Sequence, residues 1–229
     1  MHGSYGQFCP VAMASEVLCS RWTPLVIREL MCGSTRFNDL RRGVPRMSPS
    51  LLSKRLTELE AGGVISAVPD AKGVKEYHLT QAGEELRPII IGLGGWGQRW
   101  VETGPTLANL DPELLIWNMH RCLDPTPLPA RRVCIQFVFE DLASEKRNNW
   151  LIIDPETGAE ACYVDPGFEV DLYAECTLRI MTAIWLGLDT VAAALTRSDL
   201  TLAGDRKIAA MMQQWLGLSP FAKEKKRVA

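Results

Sequence analysis

With 229 residues, 47% of them apolar and 23% charged, the chain is long enough for one large domain or two small ones with real cores. The formal net charge of −2 excludes wholesale coating of nucleic acid, yet it hides an asymmetry: residues 1–100 carry 12 Lys/Arg against 9 Asp/Glu, a net of +3, and residues 101–229 carry 13 against 18, a net of −5. Opposite signs in the two halves predict two domains with different partners. The cysteine count is odd at seven, with no C-x-x-C pair, which points to reduced thiols in the cytoplasm rather than a disulfide scaffold or zinc site. No basic, apolar leader opens the chain, and the apolar stretch Ile89–Trp100 is interrupted by glycines and too short to span a bilayer, so neither secretion nor a membrane partner is expected.

In chain order, Pro10 opens a helix predicted to run to about Arg21, with Val11, Ala14, Val17 and Leu18 at helical spacing. Thr23-Pro24 starts a second helix to Met31, closed by Gly33. A short third helix spans Asn38–Arg42, and a fourth starts at Ser48-Pro49 and ends near Ala61, before Gly62-Gly63. The period then changes to two strands, Val64–Val68 and Lys75–Leu79, around the polar loop Pro69–Val74. Thr80 caps a long helix through Leu86, Ile90 and Leu93 to Trp100. A Pro-rich zone at 104–130, holding one short helix Pro112–Cys122, reads as a connector. Beyond it come alternating strands at Arg132–Phe139, Trp150–Ile153, Ala161–Val164 and Val170–Cys176, then helices Thr177–Leu188 and Thr190–Thr196, a strand Leu200–Ala203 and a helix Arg206–Leu216. The expected domains are therefore a mainly α winged helix-turn-helix at 1–103, the connector, and an α+β domain at 131–221 with an antiparallel-type sheet and helices on one face. Residues 222–229 read as a flexible basic tail.

The fourth helix carries the DNA argument. Leu52, Leu56 and Leu59 share one face, while Ser50, Ser53, Lys54 and Thr57 recur at i, i+3, i+4 and i+7 on the other. Short donors with one cation suit base edges and phosphates. Arg55 flanks that stripe. Ser48 sits at a helix N-terminus, where free N–H groups attract phosphate. Arg36, Arg42 and Arg46 make the approach segment basic, and Lys72 and Lys75 are placed as a wing would place them.

These residues resemble a family. Phe8-Cys-Pro-Val11, Arg21-Trp22-Thr23, Ile27–Leu30, Arg36–Leu40, the run from Ser48-Pro49 to Leu56, Leu59-Glu60-x-Gly62 and Tyr77-x-Leu79-Thr80-x-Ala82-Gly83 look like the HxlR-type winged-helix regulators over residues 8–100. The resemblance implies a homodimeric transcriptional regulator bound to double-stranded DNA, with Ser48, Ser53 and Arg55 near the DNA and Trp22 in the core, and a repressor is expected. It implies dimerisation through the first and last helices of the domain, here Val11–Arg21 and Ala82–Trp100, with Val11, Leu18, Ile90, Leu93, Trp96 and Trp100 as contacts. It also suggests a redox role for Cys9, which stands just before Pro10 at a helix N-terminus that would favour the thiolate. The other six cysteines lie in apolar patterns and are expected in cores.

Residues Arg132–Phe221 resemble the sterol-carrier-protein type 2 fold through Ile184–Gly187, Ala192–Leu195 and the Gly204-Asp205 turn into the last helix. That implies an apolar effector site, for which Met181, Ile184, Trp185, Leu188, Leu195, Met211, Met212 and Trp215 are the candidate lining. No cofactor or metal is expected, and no enzyme: His2, His78 and His120 have no partner motif. Three readings stand side by side: a ligand-tuned DNA-binding regulator, a thiol-based sensor through Cys9, and a lipid-like binding module whose N-terminal domain only dimerises.

Overall fold

The computed structural model describes residues 4–102 and 107–228. His2, Gly104-Pro105 and Ala229 lie outside the described residues. The chain divides into two compact units, Met1–Leu93 and Gly94–Ala229. The division falls some ten residues before the junction expected after residue 103.

The first unit contains α1 (Pro10–Leu18), α2 (Thr23–Met31), α3 (Phe37–Gly43), α4 (Pro49–Ala61), the hairpin β1 (Ile65–Pro69) and β2 (Lys75–Leu79), α5 (Gln81–Glu84) and the start of α6 (Arg87–Trp100). Prolines occupy the first turns of α1, α2 and α4, where their missing N–H costs nothing. The Ser48 Oγ accepts the Leu51 N–H and the Thr80 Oγ accepts the Gly83 N–H, capping α4 and α5. The hairpin is antiparallel, in register from Ile65 opposite Leu79 to Pro69 opposite Lys75.

Two boundaries differ from expectation. The first helix ends at Leu18, and Trp22 turns the chain into α2 with a left-handed φ of 78°. The long helix after Thr80 is broken between α5 and α6, because Pro88 cannot donate to the preceding turn and so sits at a helix start. Val26, Ile27, Leu40, Leu52, Leu56 and Leu59 form the heart of this unit's core. Glu29 is wholly buried beside them, and its neighbour Arg28 bonds both the Glu29 carboxylate, at 2.6 Å, and the Gly43 carbonyl, at 2.9 Å, tying α2 to the end of α3.

The second unit contains α7 (Pro112–Cys122), β3 (Val133–Phe139), α8 (Ser144–Arg147), β4 (Asn148–Asp154), β5 (Gly158–Cys162), β6 (Leu172–Cys176), α9 (Leu178–Trp185), α10 (Val191–Thr196), β7 (Leu200–Gly204), α11 (Arg206–Ala210) and α12 (Met212–Trp215). The sheet order is β5-β4-β3-β6-β7. It is mixed, which corrects the antiparallel expectation: β3 and β6 pair in parallel, Ile135 opposite Leu172, while the other pairs are antiparallel. After β5 the chain crosses over two strands and lays β6 on the far side of β3, a connection that makes the two run the same way.

One sheet face, with Ile135, Phe137, Leu151 and Leu172, joins Ile116, Met119, Ile184 and Trp215 in the main core. The opposite face carries a small cluster of Cys134, Trp150 and Ile152. The last helix is split at Met211. Residues 223–227 are not a free tail: Glu224 pairs with Arg99 at 2.6 Å, the Arg227 N–H donates to the Arg99 carbonyl, and the Arg227 guanidinium lies 5.6 Å from the Trp100 ring.

Gly204 shows how tightly the sheet closes. Its φ is 125°, and a Cβ there would fall 2.2 Å from the Asp171 carbonyl oxygen. Gly204→Ala is expected to destabilise the second unit by roughly 2–4 kcal/mol from backbone strain and overpacking, read as a lower denaturant midpoint with the first unit unmoved. Leu56→Ala is expected to do the converse, lowering the first unit by about 2–5 kcal/mol.

Candidate nucleic-acid interface

The surface with the chemistry to meet DNA is built from α4, the approach helix α3 and the hairpin. On α4 the apolar face is buried through Leu52, Leu56 and Leu59, which leaves Ser50, Ser53, Lys54 and Thr57 exposed on the opposite side. The Ser48 Oγ is 3.2 Å from the Ser50 Oγ, the Thr57 Oγ1 donates to the Ser53 carbonyl at 3.1 Å, and the Lys54 Nζ lies 3.9 Å from Glu58. These bonds are local, so the stripe can exchange them for contacts outside the protein.

Arg55 departs from the expectation. Its side chain is only 7% exposed, and it is held by the Arg21 carbonyl and by Glu58. It sits beside Leu56 and Leu59 rather than on the polar stripe, so it does not face the outside.

The approach segment divides in two. Arg42 and Arg46 are exposed, Arg42 3.6 Å from Asp39. Arg36 is half-exposed and bridges to the wing, its guanidinium 2.9 Å from Asp70 and 3.1 Å from Glu76. The Tyr77 N–H donates to the Thr35 carbonyl at 2.8 Å, extending the hairpin by one bridge. Arg36 therefore fixes the wing against α3 as well as adding charge. Lys72 and Lys75 are exposed on the hairpin.

Between wing and α3 lies an open groove of about 550 Å³, lined by Arg36, Asn38, Asp39, Arg42 and Lys75 together with Phe37, Val74 and Tyr77. Sequence reasoning missed Asn38 and this groove. Three cations converging from two segments were the available signal, but their convergence depends on the Arg36 clamp.

The loop is shaped by Asp70. Its carboxylate accepts the Lys72 N–H at 2.8 Å and the Val74 N–H at 2.9 Å, and Gly73 supplies the left-handed φ of 77° that closes the turn. The bond from Val74, then that from Lys72 and, more weakly, the Arg36 charge hold the Asp70 carboxyl below its ordinary range.

At the other end of the unit, Cys9 is exposed at the N-cap of α1, and the N–H groups of Ala12 and then Val11 lower its thiol pKa. Cys19 and Cys32 are exposed, not core, because they stand at the C-caps of α1 and α2. Cys122 and Cys162 are half-buried. Burial pushes Cys134 up to about 11 and Cys176 to about 12, so these two are inert thiols.

Of the residues expected at a dimer contact, Val11, Leu93, Trp96 and Trp100 are exposed and Leu18 is half-buried against the core. Ile90 is a correction: it is buried in its own unit's core. Gly94 seats the Phe221 ring, so this glycine admits the chain's own C-terminal segment, whereas Gly92 and Gly97 have open space.

In the second unit Met181, Ile184, Met212 and Trp215 are wholly buried core, with the Trp215 indole N–H donating to the Ile208 carbonyl at 2.8 Å. Trp185 and Met211 pack partly buried against them, and Leu188 is half-buried. Leu195 is a correction: it faces solvent, because Val191 and Ala194 take the inward positions of short α10. His78 is exposed on β2, and His120 lies against the Trp117 ring at 4.5 Å.

The wing makes a pH prediction. A carboxyl with a lowered folded pKa contributes stability above its unfolded pKa and loses it as pH falls through the folded value. The Lys72 and Val74 amides are therefore expected to be protected from hydrogen exchange at neutral pH and to lose that protection as the solution is acidified past the ordinary carboxylate range. Asp70→Ala should remove the protection at every pH. Unchanged protection in that variant, measured by NMR, would show that another group closes the turn.

A model of the HxlR-like helix-turn-helix family matches residues 17–105. The uncharacterised HTH-type transcriptional regulator YvaP of Bacillus subtilis is 34% identical over 99 residues, which are 42% of this chain and 92% of that protein. The HTH-type transcriptional regulator YodB of the same organism is 30% identical over 103 residues, 44% of this chain and 92% of that one. The solved structure of the reduced form of YodB, at 29% identity, covers 43% of this chain and 99% of its own with a TM-score of 0.37. Through the family model and the near-complete coverage of these relatives, the chain belongs to the HxlR-like helix-turn-helix family.

Proposed function

We propose that the chain is a cytoplasmic transcriptional regulator that binds double-stranded DNA as a homodimer, with α4 in the major groove and the hairpin as its wing. The observation that carries the reading is the exposed Ser50, Ser53, Lys54 and Thr57 stripe on a helix whose opposite face is fully buried. Arg42, Arg46, Lys72 and Lys75 flank it as phosphate contacts, and the family relatives are named as transcriptional regulators. Exposed Phe8, Val11 and Met13 give the α1 segment an apolar surface suited to a second copy. The expected behaviour is duplex binding by a dimer, weakening with salt by about 0.9 log units per log unit for each phosphate neutralised. Lys54→Ala should keep the melting temperature, reduce that slope by about one phosphate and weaken binding. A chain that stays monomeric at micromolar concentration and enriches no duplex from a random pool at low salt would refute the reading.

Two features favour regulation of that binding. Cys9 is an exposed thiol with a lowered pKa at the start of α1, so an oxidant or electrophile would reach it first. Iodoacetamide labelling of Cys9 is expected to have its pH midpoint below that of an ordinary thiol, and Cys9→Ser should abolish any loss of DNA binding caused by a quinone or diamide. In the second unit the Trp185 Nε1 is shielded from solvent without an acceptor among the described residues, a donor that an oxygen-bearing apolar effector would satisfy. Such an effector site is what the resemblance of this unit to the sterol-carrier fold implies. Mass spectrometry of the purified protein should reveal a bound apolar molecule. Equal affinity of that molecule for free and DNA-bound protein would exclude it as an effector.

A further inference from the structure

The DNA-reading surface leaves one cation of α4 unused. The Arg55 Nε donates to the Arg21 carbonyl at 3.3 Å, and another guanidinium nitrogen pairs with Glu58, four-fifths of a turn further along the same helix. Arg21 belongs to the corner between α1 and α2, next to Trp22. A φ of 78° is rare for an aromatic residue and persists only where its surroundings hold it. The Trp22 carbonyl accepts the N–H groups of Leu25 and Val26, so this residue starts the hydrogen bonding of α2. The carbonyl just before it is committed to α4. A guanidinium is a planar fork that holds its acceptors in fixed directions, and a buried one cannot let go of them without leaving a desolvated charge. Reaching a phosphate would require Arg55 to do that.

We propose that Arg55 is a positioning residue for DNA recognition. It latches α4 to the Arg21–Trp22 corner and sets the angle at which Ser50, Ser53, Lys54 and Thr57 meet the base edges. The proposal rests on the DNA-reading assignment of that stripe. Reading helices discriminate only when held to within a fraction of an ångström and some ten to twenty degrees. Apolar contact alone sets little direction, whereas the bond to the Arg21 carbonyl at one edge, with the guanidinium braced by Glu58 on the same helix, opposes rotation about the helix axis.

The test uses full-length protein and two duplexes of equal length: one enriched by the wild-type chain from a random pool, and a scrambled version of it. Arg55→Lys and Arg55→Gln are compared with Lys54→Ala. Both Arg55 variants are expected to bind the enriched duplex at least about tenfold more weakly, to bind the scrambled duplex as wild type does, and to keep the wild-type salt slope. Lys54→Ala should weaken both duplexes and lower the slope by about 0.9. Where an Arg55 variant does not fold, Glu58→Gln carries the test. It frees one end of the latch and should narrow the gap between the two duplexes in the same direction. Wild-type discrimination in Arg55→Lys, or in Glu58→Gln where that variant decides, overturns the proposal. So does a salt slope lowered by one phosphate in Arg55→Gln, which would make Arg55 a DNA contact. If the wild-type chain enriches no duplex, the DNA-reading assignment fails before any variant is compared, and the latch falls with it.

Discussion

The burial of one leucine face on α4 decides most of what the first unit can do. Leu52, Leu56 and Leu59 are all but inaccessible to solvent, and fully burying such side chains is worth about 1.5–3 kcal/mol each. A helix anchored on that scale has only one face to show, and the polar stripe is whatever remains. The rest of the unit is arranged around holding this choice: Arg28 and buried Glu29 fasten α2 to the end of α3, and Arg36 fastens the wing to the start of α3. Each uses a guanidinium at a junction between elements, where a directional group adds orientation that apolar contact does not.

The cations of this unit accordingly fall into two populations. Arg28 and Arg55 are turned inward and spend their charge on carbonyls and carboxylates of the same chain. Arg42, Arg46, Lys54, Lys72 and Lys75 are exposed. The second population, with half-exposed Arg36, supplies the field that a polyanion meets on this face. The net of +3 in residues 1–100 therefore does not by itself describe that field, because buried Arg55 and buried Glu29 both count towards it and neither reaches the surface.

Much of the first unit was legible in the sequence because its signals are local. Prolines and caps marked helix starts, glycines marked ends, and the hairpin was visible as a change of period. Arg55 was misplaced although a signal existed: four residues before Leu59, it lies about 40° from it around the helix and so on the edge of the apolar face, not the polar one. Its partner, the Arg21 carbonyl, is a backbone atom 34 residues away and leaves no mark in composition. The left-handed Trp22 was unreadable for the same reason, since a non-glycine residue at positive φ is imposed by its surroundings. In the second unit the strands were found but the parallel β3–β6 pairing was not, because alternation reports which faces are buried and says nothing of strand direction. Leu195 and Ile90 show the converse limit: apolar character places a residue on one side of a helix, and packing alone decides what lies opposite.

The two units also differ in how much chain each needs before it can close. The core of the first is complete once Ile90 is available. The core of the second draws on Leu115 and on Leu216 alike, with its central strand β3 finished on one side only when β6 arrives. At ribosomal rates of about 5–20 residues per second, the intervening stretch takes on the order of ten seconds to emerge. During that interval the DNA-reading half is a folded body on a growing chain, and until residue 176 emerges β3 waits with an open edge. Nascent-chain crowding would press on that edge, so codon usage and chaperone contact between residues 139 and 176 should affect yield more than the same changes upstream.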